Sequence, residues 1–223
     1  MTGSSAASAS TREALILAGE QLFGEHGIDG VSLRQINSAA GQRNSSAAHY
    51  HFGSKEALVN AVYEYRMERV NHRRLDRLAD IEAADEPPDV HTIVATIVLP
   101  IVDEIQHSDG GSHYIRFMAQ MIGHPRVSLV ELWNSRFGEG LSRVIGLLRE
   151  ALPDVPDTII GQRFGLMWEQ AIHALADRER LSGGEEADEM IEPDLFVSNL
   201  IDTVAGGLSA PISDATRAAL KRR

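Results

Sequence analysis

Residues 32–58 read SLRQINSAAGQRNSSAAHYHFGSKEAL, and the punctuation in this stretch decides the fold. Ser32 is a good helix N-cap, and Gln35 three positions on completes a capping box. Leu33, Ile36 and Ala40 then repeat at helical spacing, so one face of this helix is buried. Gly41 stands where a helix end wants a positive φ. Asn44, Ser45 and Ser46 can each cap a short second helix that runs to His51 or Phe52. Gly53 closes that helix. Ser54 caps a third, longer one, with Glu56 well placed against its dipole.

A helix, a short turn containing glycine and a second helix make a helix-turn-helix, in which the second helix enters the DNA major groove. Here the second helix is polar and small: Ser45, Ser46, Ala47, Ala48, His49, Tyr50, His51. A helix used only for packing is richer in Leu and Ile. Arg43, His49, His51 and Lys55 fall in one run with no acid between them, which suits a surface close to phosphate. Arg43, Asn44, Ser45, Ser46, Ala47, His49, Tyr50, His51 and Lys55 are therefore the candidate contacts to double-stranded DNA.

These residues resemble the N-terminal domain of the TetR family of bacterial transcriptional regulators. The family pattern is an Ile-Ala-x-x-Ala-Gly helix, a turn, an aromatic-His-Phe helix end, then Ser-Lys-Glu-x-Leu. This chain has Ile36-Asn37-Ser38-Ala39-Ala40-Gly41, followed by His49-Tyr50-His51-Phe52-Gly53-Ser54-Lys55-Glu56-Ala57-Leu58. Asn37 replaces the usual Ala, Gln42 the usual Val, and His49 a common aromatic; the turn is one residue longer than usual. The resemblance covers roughly the first quarter of the chain. It implies phosphate contacts at Tyr50, His51 and Lys55, a ligand-sensing domain after the reader, and pairing of two copies through their last long helices.

Composition agrees. The chain has 223 residues, 43% of them hydrophobic, enough for one large domain or two small ones. Net charge is −11, but it is unevenly spread. Residues 1–80 hold nine basic and nine acidic side chains; residues 81–223 hold twelve against twenty-three. Across 34–77 the count is eight basic to four acidic, so the acidity lies outside the proposed reader. Without cysteine there is neither a disulfide framework nor a thiolate metal site. No apolar run is long enough for a membrane span, and the N-terminus lacks a signal-peptide core, so a cytoplasmic setting is expected.

The remaining periodicity predicts an all-α chain of about nine helices. Residues 1–9 read as disordered, 10–56 as the DNA-binding domain, 57–210 as the sensing and dimerisation domain, and 211–223 as a tail. A capping box at Ser10-Thr11-Arg12-Glu13 opens the first helix. The fourth helix starts at Ser54, runs to about residue 81, and bridges reader and sensor. The fifth (90–106) carries a clean Val/Ile stripe with Pro100 inside it, where a kink is expected. The sixth, seventh, eighth and ninth cover about 113–122, 127–152, 157–181 and 193–208. The eighth and ninth are the expected homodimer interface, with Ala171, Ile172, Ala174, Leu200, Gly206 and Gly207 at it.

Phe117, Met118, Met121, Trp133, Phe137, Phe164, Met167 and Trp168 gather both tryptophans and half the phenylalanines in three helices. They describe either ordinary core or the lining of an apolar ligand pocket. Gln120, Asn134, Arg163 and His173 are the polar candidates for orienting a mainly apolar small molecule. His107, Asp109 and His113 match no tight metal motif. No Gly-x-Ser-x-Gly, phosphate-cradling glycine loop or His-Glu-x-x-His occurs, so no catalytic residue, metal or cofactor is assigned. The expected function is a ligand-responsive repressor that leaves a palindromic operator on binding a small apolar molecule. The alternatives are an all-helical enzyme, or a helical interaction module without sequence-specific DNA binding.

Overall fold

The computed structural model describes residues 3–44, 46–107, 111–125, 137–182 and 192–222. Among these are ten helices and no strand: α1 (Gly3–His26), α2 (Leu33–Ala39), α3 (Ala47–Phe52), α4 (Lys55–Glu82), α5 (Val90–His107), α6 (Gly111–Met121), α7 (Gly138–Ala151), α8 (Asp157–Leu181), α9 (Pro193–Ser209) and α10 (Asp214–Leu220). The fold is all-α, as the periodicity implied. Among the described residues no single helix is long and apolar enough to cross a membrane.

The first helix departs from expectation. It begins at Gly3, not after Ser10, so the supposed capping box lies inside it and residues 3–9 continue its backbone. The reason is local. Between Gly3 and Gly19 there is no glycine or proline, and Ala, the best helix former, recurs. Elsewhere the start and stop signals act as read. Ser54 Oγ accepts from Ala57 N at 3.1 Å to open α4, which ends ahead of Pro87 and Pro88. Asp89 Oδ1 accepts from Thr92 N at 2.8 Å to open α5. Pro100 is buried within α5 and does not end it. Of the seventh predicted helix, residues 127–136 lie outside the described residues.

One hydrophobic core runs without interruption from Leu15 in α1 to Leu208 in α9. The reader is therefore fused to the sensor. The α1 helix packs on α6 as well as on α4. Phe23 and Phe117 meet across the α1–α6 junction with ring centroids 6.1 Å apart. Gly24 lets the two backbones touch, since a Cβ there would stand 2.9 Å from the His113 carbonyl oxygen.

The charged stretch of α4 is only partly a solvated face. Arg66, 1% exposed, forks onto Glu20 of α1, with Nε–Oε2 at 2.7 Å and Nη2–Oε1 at 2.6 Å. It also donates to Glu104 of α5 at 3.0 Å. Arg69 and Arg73 reach the same Glu104 carboxylate at 2.6 and 2.8 Å. Burial alone would lower the Arg66 pKa, but the bonds from Glu20 and Glu104 outweigh it and the net shift is upward. Three helices are thus tied at one buried point. Removing one partner of such a pair strands its charge and costs about 3–5 kcal/mol.

Candidate nucleic-acid interface

The α2–α3 pair is assembled by hydrogen bonds that the sequence only half discloses. Ser32 and Gln35 form the expected capping box: Ser32 N donates to Gln35 Oε1 at 2.9 Å, and Gln35 N to Ser32 Oγ at 3.3 Å. Gly41 and Gly53 take positive φ, 67° and 77°, at the ends of α2 and α3. The start of α3 is capped from across the turn. Asn37, 2% exposed, accepts from Ala48 N at 2.8 Å. Its own carbonyl accepts from Gln42 N at 2.9 Å. Asn44 Oδ1 adds an Asx-type bond from Ser46 N at 3.0 Å, and the Ser46 hydroxyl makes no cap bond. An alanine at position 37 would keep the carbonyl bond but leave the Ala48 N–H without its side-chain acceptor. The departure from the family pattern is the residue that fixes the second helix.

The candidate contacts separate by exposure. Arg43, Asn44, Ser46, His49 and Tyr50 are exposed, and His51 is half-buried. Tyr50 is 82% exposed, unusual for so large a ring, and its edge packs against His51 with centroids 5.2 Å apart. Ala47 is a correction. It is 7% exposed and belongs to the core with Ala48, because these two methyls form the inner face of α3. Ser45 lies outside the described residues. Lys55 turns its ammonium inward, where Nζ donates to the carbonyls of Ile28 at 2.9 Å and Val31 at 3.1 Å. It fastens the α1–α2 loop to the first turn of α4. Arg12 of α1 lies over the Phe52 ring, 5.3 Å from its centroid, and so puts another cation beside α3.

A first helix seated on the core through Ile36 and Asn37, a bonded turn and a short helix presenting His49 and Tyr50 make up the exposed surface of the pair. Residues 15–62 match the family model described as bacterial regulatory proteins, tetR family. Residues 95–207 match the model described as the tetracyclin repressor-like C-terminal domain. The chain belongs to the TetR family of bacterial transcriptional regulators. Its N-terminal part is the family's helix-turn-helix DNA-binding domain.

Solved structures show the same fold. This TetR-family regulator is similar to one from Marinobacter aquaeolei VT8, with 13% identity, 89% and 95% of the two chains covered and a TM-score of 0.62. It is also similar to a putative family member from Shewanella sp. PV-4, at 14% identity, 88% and 96% coverage and a TM-score of 0.58. A third is NalD, the secondary repressor of the MexAB-OprM multidrug efflux pump in Pseudomonas aeruginosa, at 20% identity, 90% and 96% coverage and a TM-score of 0.56. Comparison with curated proteins gives no match.

In the sensor half of this TetR-family chain, Phe117, Met118, Met121, Phe137, Phe164, Met167 and Trp168 are all buried and share one core. Trp133 and Asn134 lie outside the described residues. A cavity of about 720 Å³ is lined by Glu68, Arg69, Asn71, His72, Arg73, Leu75 and Phe137. Among the described residues, Phe137 is the one expected pocket residue that lines it, and its other described walls come from α4. His173 is a correction, for it is exposed on α8 and not gathered with the aromatic cluster. Gln120 is also exposed, and Arg163 Nη1 instead donates to the Leu208 carbonyl at 2.6 Å, closing the end of α9. His107 Nδ1 lies 3.1 Å from the Asp103 carbonyl, His113 faces Glu25, and Asp109 lies outside the described residues.

The expected interface residues also divide. Ile172, Leu200 and Ala171 are 0%, 6% and 2% exposed, so they are core of the single chain. The outward faces instead present Leu166 of α8 and Leu195 of α9, 67% and 60% exposed. Gly206 and Gly207 have open space where a Cβ would stand.

The sequence reading missed a group on the inner face of α4: Tyr63, Met67, Val70 and Arg74 recur at helical spacing, all buried. The available signal was an arginine in register with apolar residues. Arg74 is 0% exposed, and among the described residues its Nε and Nη2 have no hydrogen-bond partner.

Proposed function

We propose that this regulator is a dimeric, ligand-responsive repressor that occupies a palindromic operator and leaves it when a small molecule enters the sensor. The reading rests on α4. Its first turn anchors the reader through Lys55, and Asn71 and Leu75 of the same helix line the 720 Å³ cavity. One rigid element therefore belongs to both sites, and a guest that repositions it changes where α3 is carried.

Arg43, Asn44, Ser46, His49, Tyr50 and His51 are the residues we assign to DNA, together with Ser45 by its place in the sequence. Tyr50 and Arg43 serve phosphates, and His49 and Ser46 base edges. The faces carrying the exposed Leu166 of α8 and Leu195 of α9 are the ones we assign to the pairing of two copies. A two-fold dimer carries its two readers to half-sites about one helical turn of DNA apart, roughly 34–36 Å. That NalD, a structure of the same fold, is a repressor favours repression over activation.

The test is recovery of genomic DNA fragments on the purified protein, followed by footprinting. The expected result is a shared two-fold sequence, protected on both half-sites, in competition with bulk DNA at moderate salt. Fragments without a common sequence would refute the reading and leave a helical interaction module.

A further inference from the structure

Two arginines are buried in α4, and they differ in one respect. Arg66 is met by Glu20 and Glu104. Arg74, two turns further along the same helix, has no carboxylate partner among the described residues. Its one hydrogen bond is long, from Nη1 to Asn71 Oδ1 at 3.5 Å, and Nε and Nη2 have none. Burial lowers its pKa, with only the Tyr114 and Tyr63 hydroxyls acting the other way. Stranding a guanidinium in this way is costly unless a counter-charge arrives.

The surroundings are built to receive one. Tyr63 and Tyr114, 4% and 0% exposed, bring two hydroxyls to the neighbourhood; burial pushes the Tyr63 phenol up to about 12, so it stays a neutral donor. Asn71, bonded to Arg74, is also a wall of the 720 Å³ cavity, together with Leu75 and Phe137, so a single side chain separates the guanidinium from that space. Tyr63 packs edge-on to Phe137 with centroids 6.4 Å apart. Gly140 lets α7 close directly over this corner: a Cβ there would stand 2.9 Å from Asn71 Oδ1 and 3.2 Å from Arg74 Cδ. Phe137 belongs to the same hydrophobic core as Phe164, Met167 and Trp168.

We infer that the effector is an amphipathic organic acid, its carboxylate held by the Arg74 fork with Asn71 and the two tyrosines, and its apolar tail laid along Phe137. This refines the ligand-responsive reading and depends on it. It also sharpens the expectation of a mainly apolar ligand by giving it one carboxylate. A planar carboxylate matches a guanidinium in a two-bond geometry that a point cation cannot offer.

The experiment uses the full-length protein stripped of small molecules. Linear carboxylates from hexanoate to tetradecanoate, and 4-phenylbutyrate, are compared with the alcohols of the same skeleton. Binding is read by thermal shift and tryptophan fluorescence. At least one acid should bind ten-fold or more tighter than its alcohol. R74M should abolish that preference. Without ligand it should melt above the wild type, because it removes a stranded charge; a merely structural arginine would give a lower melting point. R74K, which keeps the charge but not the fork, should weaken the acid and gain no stability. Equal binding of acids and alcohols, failure of every acid to bind, or an R74M protein that melts below the wild type would overturn the inference. Operator retention is measured separately without acid. Its failure strikes the regulatory reading, whereas intact operator binding with indifference to acids strikes this inference alone.

Discussion

Replacing Asn37 with alanine restores the residue usual in the family, and in this chain it should do harm. The side chain is 2% exposed, and its Oδ1 takes the Ala48 N–H at 2.8 Å, one of the backbone donors that the start of α3 leaves open. Ser46, at the cap position, does not substitute, since its hydroxyl makes no cap bond. Losing a side-chain cap costs about 0.5–2 kcal/mol, and leaving a buried N–H unpaired costs about 1–3 kcal/mol. These overlap, so N37A should lose roughly 2 kcal/mol. For a chain of this length that is a fall of about 4–8 °C in melting temperature. The damage is local to α3, so operator affinity, measured by fluorescence anisotropy well below the transition, should fall by more than salt-dependent phosphate binding does. A variant that melts within a degree or so of the wild type and binds operator equally well would show that α3 needs no cap from α2.

Three further outcomes follow from positions described above. Lys55→Met should lower the melting temperature, since it unfastens the Ile28 and Val31 carbonyls, and leave the salt slope of DNA binding nearly unchanged; Arg43→Ala should cut that slope by about one unit with little change in melting. Light scattering should find Leu166→Arg or Leu195→Arg monomeric and folded, whereas Leu200→Arg or Ile172→Arg should unfold the chain, because those two side chains are already buried within it. Hydrogen bonds from Thr92 to Asp89, and from the Leu195 and Asp194 backbone to Glu192, hold both carboxyls below their ordinary values. A depressed folded pKa contributes stability above the unfolded value and loses it as pH falls through the folded one. The stability gap between wild type and a D89N/E192Q double variant, read by urea unfolding, should therefore be present at neutral pH and shrink below about pH 4.

Much of the fold was legible because helix ends are written locally. Ser32 with Gln35, Gly41, Gly53 and Ser54 each act within a turn of themselves, and each stands where the spacing put it. Ser10 misled for the same reason: a cap signal has no force where the preceding residues are themselves good helix formers. What was not legible depends on partners distant along the chain. Asn37 reads as an oddity until Ala48 is found against it. Ala47 reads as part of a polar surface until its helix is rotated onto the core. The charges of α4 read as a solvated face, because nothing local reveals that Glu20 and Glu104, far away in sequence, converge on Arg66. Phe117, Phe137, Phe164 and Trp168 are buried as their spacing implied, but periodicity cannot tell core from pocket lining, and the described cavity walls come mostly from α4.

The three-helix knot at Arg66 makes α4 a lever with a fulcrum. Arg66 stands eleven residues from Lys55, about 17 Å at helical rise, and eight residues from Arg74, about 12 Å on the other side. Glu20 and Glu104 hold Arg66 from two helices, and Arg69 and Arg73 add bonds to the same Glu104; under the regulation proposed above, α4 tilts about this tie. With those arm lengths, a sideways step of about 1 Å at Arg74 is returned as roughly 1.4 Å at Lys55, in the opposite direction. In a two-fold dimer the two readers move in mirror fashion, so the change in their separation is up to about twice that. Under the proposed regulation, a guest that draws one buried arginine a short way toward itself acts on the operator with mechanical advantage, and shifting the fulcrum, by exchanging Arg66 with a neighbour on α4, would change the gain without touching either site.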